Sequence, residues 1–379
     1  MGNKRNSGLL IFWLFFVAPA FAQSPSPTPP DNRGLGIQSG GQTANTSGNQ
    51  GSREAKPELV LQTGYNNFYG ATRLLFSPDG RLLATGTFRS NTIKLWETAT
   101  NRKLRELSSS GQAVSAIAPT VAFSRDSRLI AASGGDGSVT VWDVSSGREL
   151  HKLGSSAQGS MMMAPLGVYF IAFTPDNRLV TISDVARVWD LSTGRELRTF
   201  ETGMTGVVGF NGSDSGLTLS PDGTQLLLIT EGFNPEVRFI DLASGREARR
   251  VKLPEDQIDS LQLAFNSEGH LLAAGIHEKR FKFWNVTAKK ERELGPTSKE
   301  FCQLEFSRDG RLLALSDNYT IKLWETATLR ELPALTVPTS INFPQGDAFV
   351  SFSEDGKRIA TGGIGTDTIV WETETGKRL

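Results

Sequence analysis

From residue 58 onward the chain alternates short apolar runs with clusters of Gly, Asp, Ser and Pro. Residues 121–150, VAFSRDSRLIAASGGDGSVTVWDVSSGREL, show the unit most clearly. Val121 and Phe123 flank Ala122, the period-two pattern of a half-buried strand. Residues 124–127 (Ser-Arg-Asp-Ser) read as a tight turn, and residues 128–133 as a second strand. The run Gly134-Gly135-Asp136-Gly137 turns the chain again. Residues 138–144 form a third strand, β-branched at alternate positions and carrying Trp142-Asp143. Residues 145–148 turn into a fourth strand that begins at Glu149. Four short strands joined by such turns predict an antiparallel meander. One such sheet has two apolar faces and needs neighbours to cover them.

Those neighbours are encoded in the same chain. The first turn recurs at residues 77–80, 174–177, 220–223, 266–269, 307–310 and 353–356. The third-strand Trp recurs as Trp96, Trp189, Trp284, Trp324 and Trp371, and Ile240 takes its place once. That makes seven copies, spaced 40 to 51 residues apart, and Trp13 is the one Trp outside the pattern. The run Phe-Ser-Pro-Asp-Gly at residues 76–80, followed by an apolar residue, Trp and an acid at 95–97, resembles the WD-repeat β-propellers. The resemblance covers residues 58–379. It implies an all-β fold, a seven-bladed β-propeller of four-stranded antiparallel blades. The chain departs from that family by lacking its Gly-His pair before the first strand. The family's Asp-His-Ser-Trp network is therefore partial, and in the second copy only Ser133, Asp136 and Trp142 match it.

Local chemistry refines this. In Ser77-Pro78-Asp79-Gly80 the Pro suits the second position of a type I turn and the Gly a left-handed fourth position. Asn177 can replace Gly there, and Ser127 is the strained case. Residues 58–63 read as a strand placed where an outer strand should precede the first copy. The seventh copy reaches Leu379 where its own outer strand should begin. Residues 58–63 are thus expected to close the ring as the outer strand of the last blade. The alternative is that the chain is a fragment of something longer.

Composition then narrows the setting. Residues 1–22 have the form of a secretory signal: Lys4 and Arg5, an apolar run over residues 9–17, and Ala20-Phe21-Ala22 before Gln23. The run is shorter than the ~20 residues that span a bilayer. Residues 23–57 contain six Gly and five Pro and read as a disordered linker. Residues 58–379 form the propeller, expected to be secreted or periplasmic, monomeric and without stable membrane insertion once the signal is removed. The 40 basic and 40 acidic residues balance, which argues against nucleic acid as a partner. Cys302 is the single cysteine, so no internal disulfide forms. It falls in a predicted first strand, where a buried, inert thiol is expected.

No catalytic constellation emerges, and no metal or cofactor is expected. His277-Glu278 starts like a zinc-protease motif, but Phe281 stands where the second His must be. Residues 362–367 match a single calcium nonapeptide, which needs stacked copies, and read as a turn. A basic residue ends each third-to-fourth turn: Arg102, Arg148, Arg195, Arg246, Lys290, Arg330 and Lys377. These either form a cationic ring that binds a polyanion or protect strand edges and pair with the acid after each Trp. The second reading is preferred.

Loop length points to a binding face. The fourth-to-first connections at residues 108–120, 154–167, 201–216 and 335–347 are long, while 254–260 and 295–300 are short. With the second-to-third turns they share one face, the top, and the long ones raise one sector of it. Met161, Met162, Met163 and Phe210 lie in these loops, and Tyr65, Tyr69 and Tyr319 in other top-face connections. Met and Tyr suit interfaces. Met161, Met162, Met163, Phe210, Tyr65 and Tyr69 are the candidate partner-binding residues, for a protein or peptide. The alternative is that these loops fold their aromatics over the channel mouth. The expected function is a non-enzymatic, extracytoplasmic binding scaffold. Two others stay open: a sensor part of a larger protease- or kinase-linked protein, and a propeller enzyme of lactonase or dehydrogenase type. The enzyme reading needs a convergent polar cluster at the channel mouth, which the sequence does not reveal.

Overall fold

A computed structural model describes residues 60–61, 71–87, 92–108, 120–134, 136–154, 168–183, 185–202, 217–230, 235–253, 258, 260–298, 303–338, 348–363 and 366–379. All lie in the compact unit Ala55–Leu379. The described strands form seven four-stranded antiparallel sheets, each a meander. Blades 1 to 6 occupy residues 71–108, 121–153, 170–200, 217–252, 260–296 and 303–336. Blade 7 combines residues 348–372 with Val60–Leu61. The predicted signal, the linker and Cys302 fall outside the described residues.

The first turn forms for the reason its residues suggest. In blade 1 the Leu82 N–H donates to Ser77 Oγ at 2.9 Å, and Ser77 Oγ–H donates to Asp79 Oδ1 at 2.6 Å. Asp79 Oδ1 also accepts from the Arg81 N–H at 3.1 Å. Ser124 with Asp126 and Ser353 with Asp355 repeat the arrangement, and Asn266 substitutes by accepting from two backbone N–H groups. All seven turns end in the left-handed region, with Gly at five, Asn177 at φ 61° and Ser127 at φ 61°. At Gly310 a Cβ would lie 2.6 Å from the Phe265 carbonyl oxygen, so glycine is required there by space as well as by φ. Ser127 accepts the left-handed conformation and gains a contact: its Oγ takes the Asp79 N–H of blade 1 at 3.0 Å.

Seven apolar clusters each fill one gap between neighbouring blades. In every gap the Trp (or Ile240) of one blade meets the blade before it. Trp142 packs with Ile93 and Leu95 of blade 1, and Trp96 packs with Ala360 and Val370 of blade 7. Burying each such side chain is worth roughly 1.5–3 kcal/mol. The interface between blades therefore dominates the energetics of the ring, and a lone blade has no core of its own.

The indole N–H groups divide by what faces them. Trp96, Trp189 and Trp371 donate to Thr85, Thr181 and Thr361 at 3.0, 2.9 and 2.8 Å. Each Thr sits two residues beyond the Trp's cross-strand partner. In blades 2, 5 and 6 that position is Ala132, Gly275 and Leu315, none of which carries an acceptor. The Trp284 N–H is buried without a partner. In blade 2 the three residues that match the family's partial network, Ser133, Asp136 and Trp142, are not bonded to one another. Ser133 Oγ accepts from the Thr120 N–H at 2.9 Å, while Asp136 binds Ser138 and Lys152.

Closure follows the expectation and adds to it. Val60 and Leu61 pair with Ile369 and Thr368. Beyond them Arg378 bridges to Trp371, and the Leu379 N–H donates to the Val370 carbonyl at 2.9 Å. The two segments run end to end and in one direction along Thr366–Glu372. The outer strand of blade 7 is thus composite, with the end of the chain supplying one part and Val60–Leu61 the other.

Candidate functional site

The two faces of the ring differ. On the bottom, every third-to-fourth turn repeats one geometry, with a left-handed residue at Asn101, Gly147, Gly194, Gly245, Lys289, Leu329 and Gly376. In six blades an acid after the Trp or Ile240 stands at this turn, and in blade 5 Asn285 takes its place and accepts from the Ala288 N–H at 2.8 Å. Asp143 accepts from the Ser146 N–H at 2.8 Å and from the hydroxyls of Ser145 and Ser146. These bonds hold its carboxyl down to about pKa 2. Asp190 and Asp241 are lowered in the same way by Ser192 and Ser244. The expected pairing of each acid with its basic residue is corrected accordingly. Among the described residues Arg330 does pair with Glu325, but Asp143, Asp190 and Asp241 spend their oxygens on turn hydroxyls and N–H groups. An oxygen inside its own turn is closer to those donors than to a side chain reaching from the next strand.

The sequence assigns its candidate residues to the top face. Met161, Met162, Met163, Phe210, Tyr65 and Tyr69 all lie outside the described residues. Tyr319, grouped with them by position, is 8% exposed and packs in the core between blades 6 and 7. It belongs to that core and not to an exposed surface. The second-to-third turn at His277–Arg280 pairs those two residues directly, so it is a two-residue turn, as the rejection of a zinc helix required. Glu278 and Lys279 there are both left-handed, at φ 48° and 59°.

The sequence reading missed the channel wall. A central cavity of about 820 Å³ is lined by the first strands and first turns. Phe76, Phe306 and Phe352, just before the turns, point into the gaps between blades, as do Leu74 and Leu304. The residues between them turn to the cavity, among them Arg73, Gln262, Gln303 and Glu305. Arg73, Gln262 and Gln303 occupy one tier, three residues before the last apolar position of their strands, and Glu305 lies two residues further on. Arg73 and Glu305 each hold an interaction of their own. The Oε1 atoms of Gln262 and Gln303 are buried and without a hydrogen-bond partner. At the bottom rim Arg308 pairs with Glu354 at 3.1 Å and Glu268 with His270 at 3.3 Å. The available signal was polar residues at the alternate positions of otherwise apolar first strands. Single polar residues in a short strand look the same whether they face a channel or bulk water.

The WD domain, G-beta repeat, family matches residues 61–97 and 101–143, which take in blade 1 and the first three strands of blade 2. No curated protein matches the chain at a significant level.

Proposed function

We infer, the chain being a member of the WD-repeat β-propeller family, that it is an extracytoplasmic scaffold that binds a protein or peptide through its top face. The observation that carries this reading is the contrast between faces. The bottom turns repeat one backbone geometry seven times, while the top connections differ in length and residue type from blade to blade. A surface made of identical short turns offers little to distinguish one partner from another. Loops that vary on a rigid ring are where recognition concentrates. The raised sector with Met161, Met162, Met163 and Phe210 is the proposed contact, with Tyr65 and Tyr69 beside it. Binding there uses shape and apolar side chains, with no bond making.

The extracytoplasmic setting rests on Lys4, Arg5, the apolar run and Ala20-Phe21-Ala22. N-terminal sequencing of the exported protein is expected to begin at Gln23, and retention of Met1 would overturn this part. For the binding face, the partner is first captured on immobilised propeller and identified by mass spectrometry. Replacing the three Met by Ser is then expected to weaken binding by about 1 kcal/mol or more without altering thermal stability. Replacing Arg102, Arg148 and Arg195 by Gln is expected to leave binding unchanged. If the Arg set abolished binding and the Met set did not, the bottom face would be the site.

A further inference from the structure

The charged groups that line the central cavity have partners, with one exception. Arg308 pairs with Glu354 at 3.1 Å, Asp309 with Arg311, and Glu268 with His270 at 3.3 Å. Arg73 and Glu305 each hold an interaction of their own. Among the described residues that leaves Arg125, an exposed side chain of the cavity lining with no ion pair or hydrogen bond. It stands at the second position of the first turn of blade 2, where blades 3 and 4 carry Pro175 and Pro221. The wall that follows it round the ring is apolar. Phe173 and Pro175 of blade 3 and Leu219 and Pro221 of blade 4 line the cavity, the two prolines exposed and the other two half-buried. Pro175 lies against the blade 4 turn, where a Cβ on Gly223 would come within 2.2 Å of its Cδ, so the two turns make one continuous surface. All four acids of the lining stand on blades 5 to 7, and blades 2, 3 and 4 contribute none. Asp126, beside Arg125 in its turn, is held by the Ser124 hydroxyl and the Arg128 N–H and lies outside the lining.

We propose that the part of the central cavity formed by blades 2, 3 and 4 binds a small monocarboxylic acid with an apolar body, its carboxylate on Arg125 and its body against Phe173, Pro175, Leu219 and Pro221. A guanidinium presents its N–H donors in a rigid fork that matches the two oxygens of a carboxylate. Arg125 spends none of those donors within the protein, so binding breaks no bond already made. The apolar wall beside it gains by losing contact with water, and it keeps water off one side of the ion pair, which strengthens the pair. One free cation suits one negative charge. A second carboxylate on the ligand would reach toward the acids of blades 5 to 7. The cavity volume of about 820 Å³ lies within the range of sites that enclose a small ligand. The site does not depend on the scaffold reading and is tested without any partner protein.

The test is calorimetric titration of the full chain with 3-phenylpropionate. Saturable binding is expected. The neutral 3-phenylpropionamide, which keeps the apolar body and loses the charge, should bind about tenfold more weakly or worse, and so should acetate, which keeps the charge and loses the body. Arg125→Gln should weaken 3-phenylpropionate binding by about tenfold or more at an unchanged melting temperature, because the side chain is exposed and bonded to nothing. Arg308→Gln, on the far side of the cavity and already paired with Glu354, should leave binding unchanged. Absence of 3-phenylpropionate binding by the wild-type chain would overturn the proposal, as would equal binding of the amide or of acetate. Equal binding by the Arg125→Gln variant would also overturn it. The comparison of ligands on the wild-type chain decides the matter even if a variant fails to fold. Failure here would leave the raised top loops untouched as a binding site, since their test uses a different surface.

Discussion

Gly275→Thr should stabilise the protein, and Gly275→Val should do so less. The Trp284 indole N–H is buried and unpartnered. Gly275 stands where Thr85, Thr181 and Thr361 accept the corresponding N–H in blades 1, 3 and 7. The φ of Gly275 is not in the left-handed region, so a β-branched residue suits its strand. Replacing a strand glycine recovers about 0.5–1 kcal/mol through the backbone. Valine supplies this and similar volume. Threonine adds the acceptor, and relieving a buried unmade donor is worth about 1–3 kcal/mol. The unfolding entropy of a unit the size of Ala55–Leu379, at ~2.1 cal/mol/K per residue, makes about 0.7 kcal/mol correspond to one degree. Differential scanning calorimetry should therefore place the Thr variant about 1.5–4 °C above the Val variant. The mirror experiment is Thr181→Val, which orphans the Trp189 N–H and should lower the melting temperature by a similar amount. Equal melting temperatures for Gly275→Thr and Gly275→Val would refute the reasoning, because the acceptor would then contribute nothing. A Thr variant less stable than wild type would show that the position lacks room for the side chain.

Ser127 gives a second contrast. Ser127→Ala keeps the left-handed strain and loses the bond from the Asp79 N–H, so it should cost about 1 kcal/mol, whereas Ser127→Gly relieves the strain and should be nearly neutral in urea denaturation. Deleting residues 58–63 removes the part of the composite outer strand that pairs with Thr368 and Ile369, and size-exclusion chromatography should show aggregation. Deleting residues 23–57 should leave the melting temperature unchanged, and a harmless shorter deletion would sink the closure argument. Acid stability should follow Asp143, whose carboxyl is held from 3.8 down to about 2 by Ser146 and Ser145. Because the folded value is the lower one, the contribution is full above the unfolded value and is lost as pH falls through about 2. The double variant Ser145→Ala, Ser146→Ala should therefore lose less stability than wild type between about pH 4 and pH 2, measured by circular dichroism.

What could be read along the chain was whatever repeats and whatever is decided by near neighbours. A Ser-x-Asp-Gly turn is closed by bonds spanning two to five residues, so its residues announce it wherever they occur. The strained Ser127 and the tolerated Asn177 were legible for the same reason. The seven-fold recurrence of Trp or Ile240 set the blade count, since one sheet with two apolar faces needs others to cover them. The composite outer strand was legible in part, because residues 58–63 read as a strand without a sheet while the seventh copy lacked one.

Tertiary structure alone decided what depends on several blades meeting. Gln262, Gln303 and Glu305 are isolated polar residues in apolar strands, and alternation assigns them to a face without saying what lies across it. Only closing the ring turns that face toward a shared cavity and leaves two amide oxygens without a donor. Tyr319 is of the same kind: its place in a top-face turn leaves open whether it faces solvent or core, and its packing with blade 7 decides it. Ser133 and Asp136 matched a known network residue by residue, yet each found a nearer partner in the folded blade. The physical reason is common to all of these. Turn chemistry is settled within a few residues, whereas burial and partnership are settled by whichever surface arrives from a distant part of the chain.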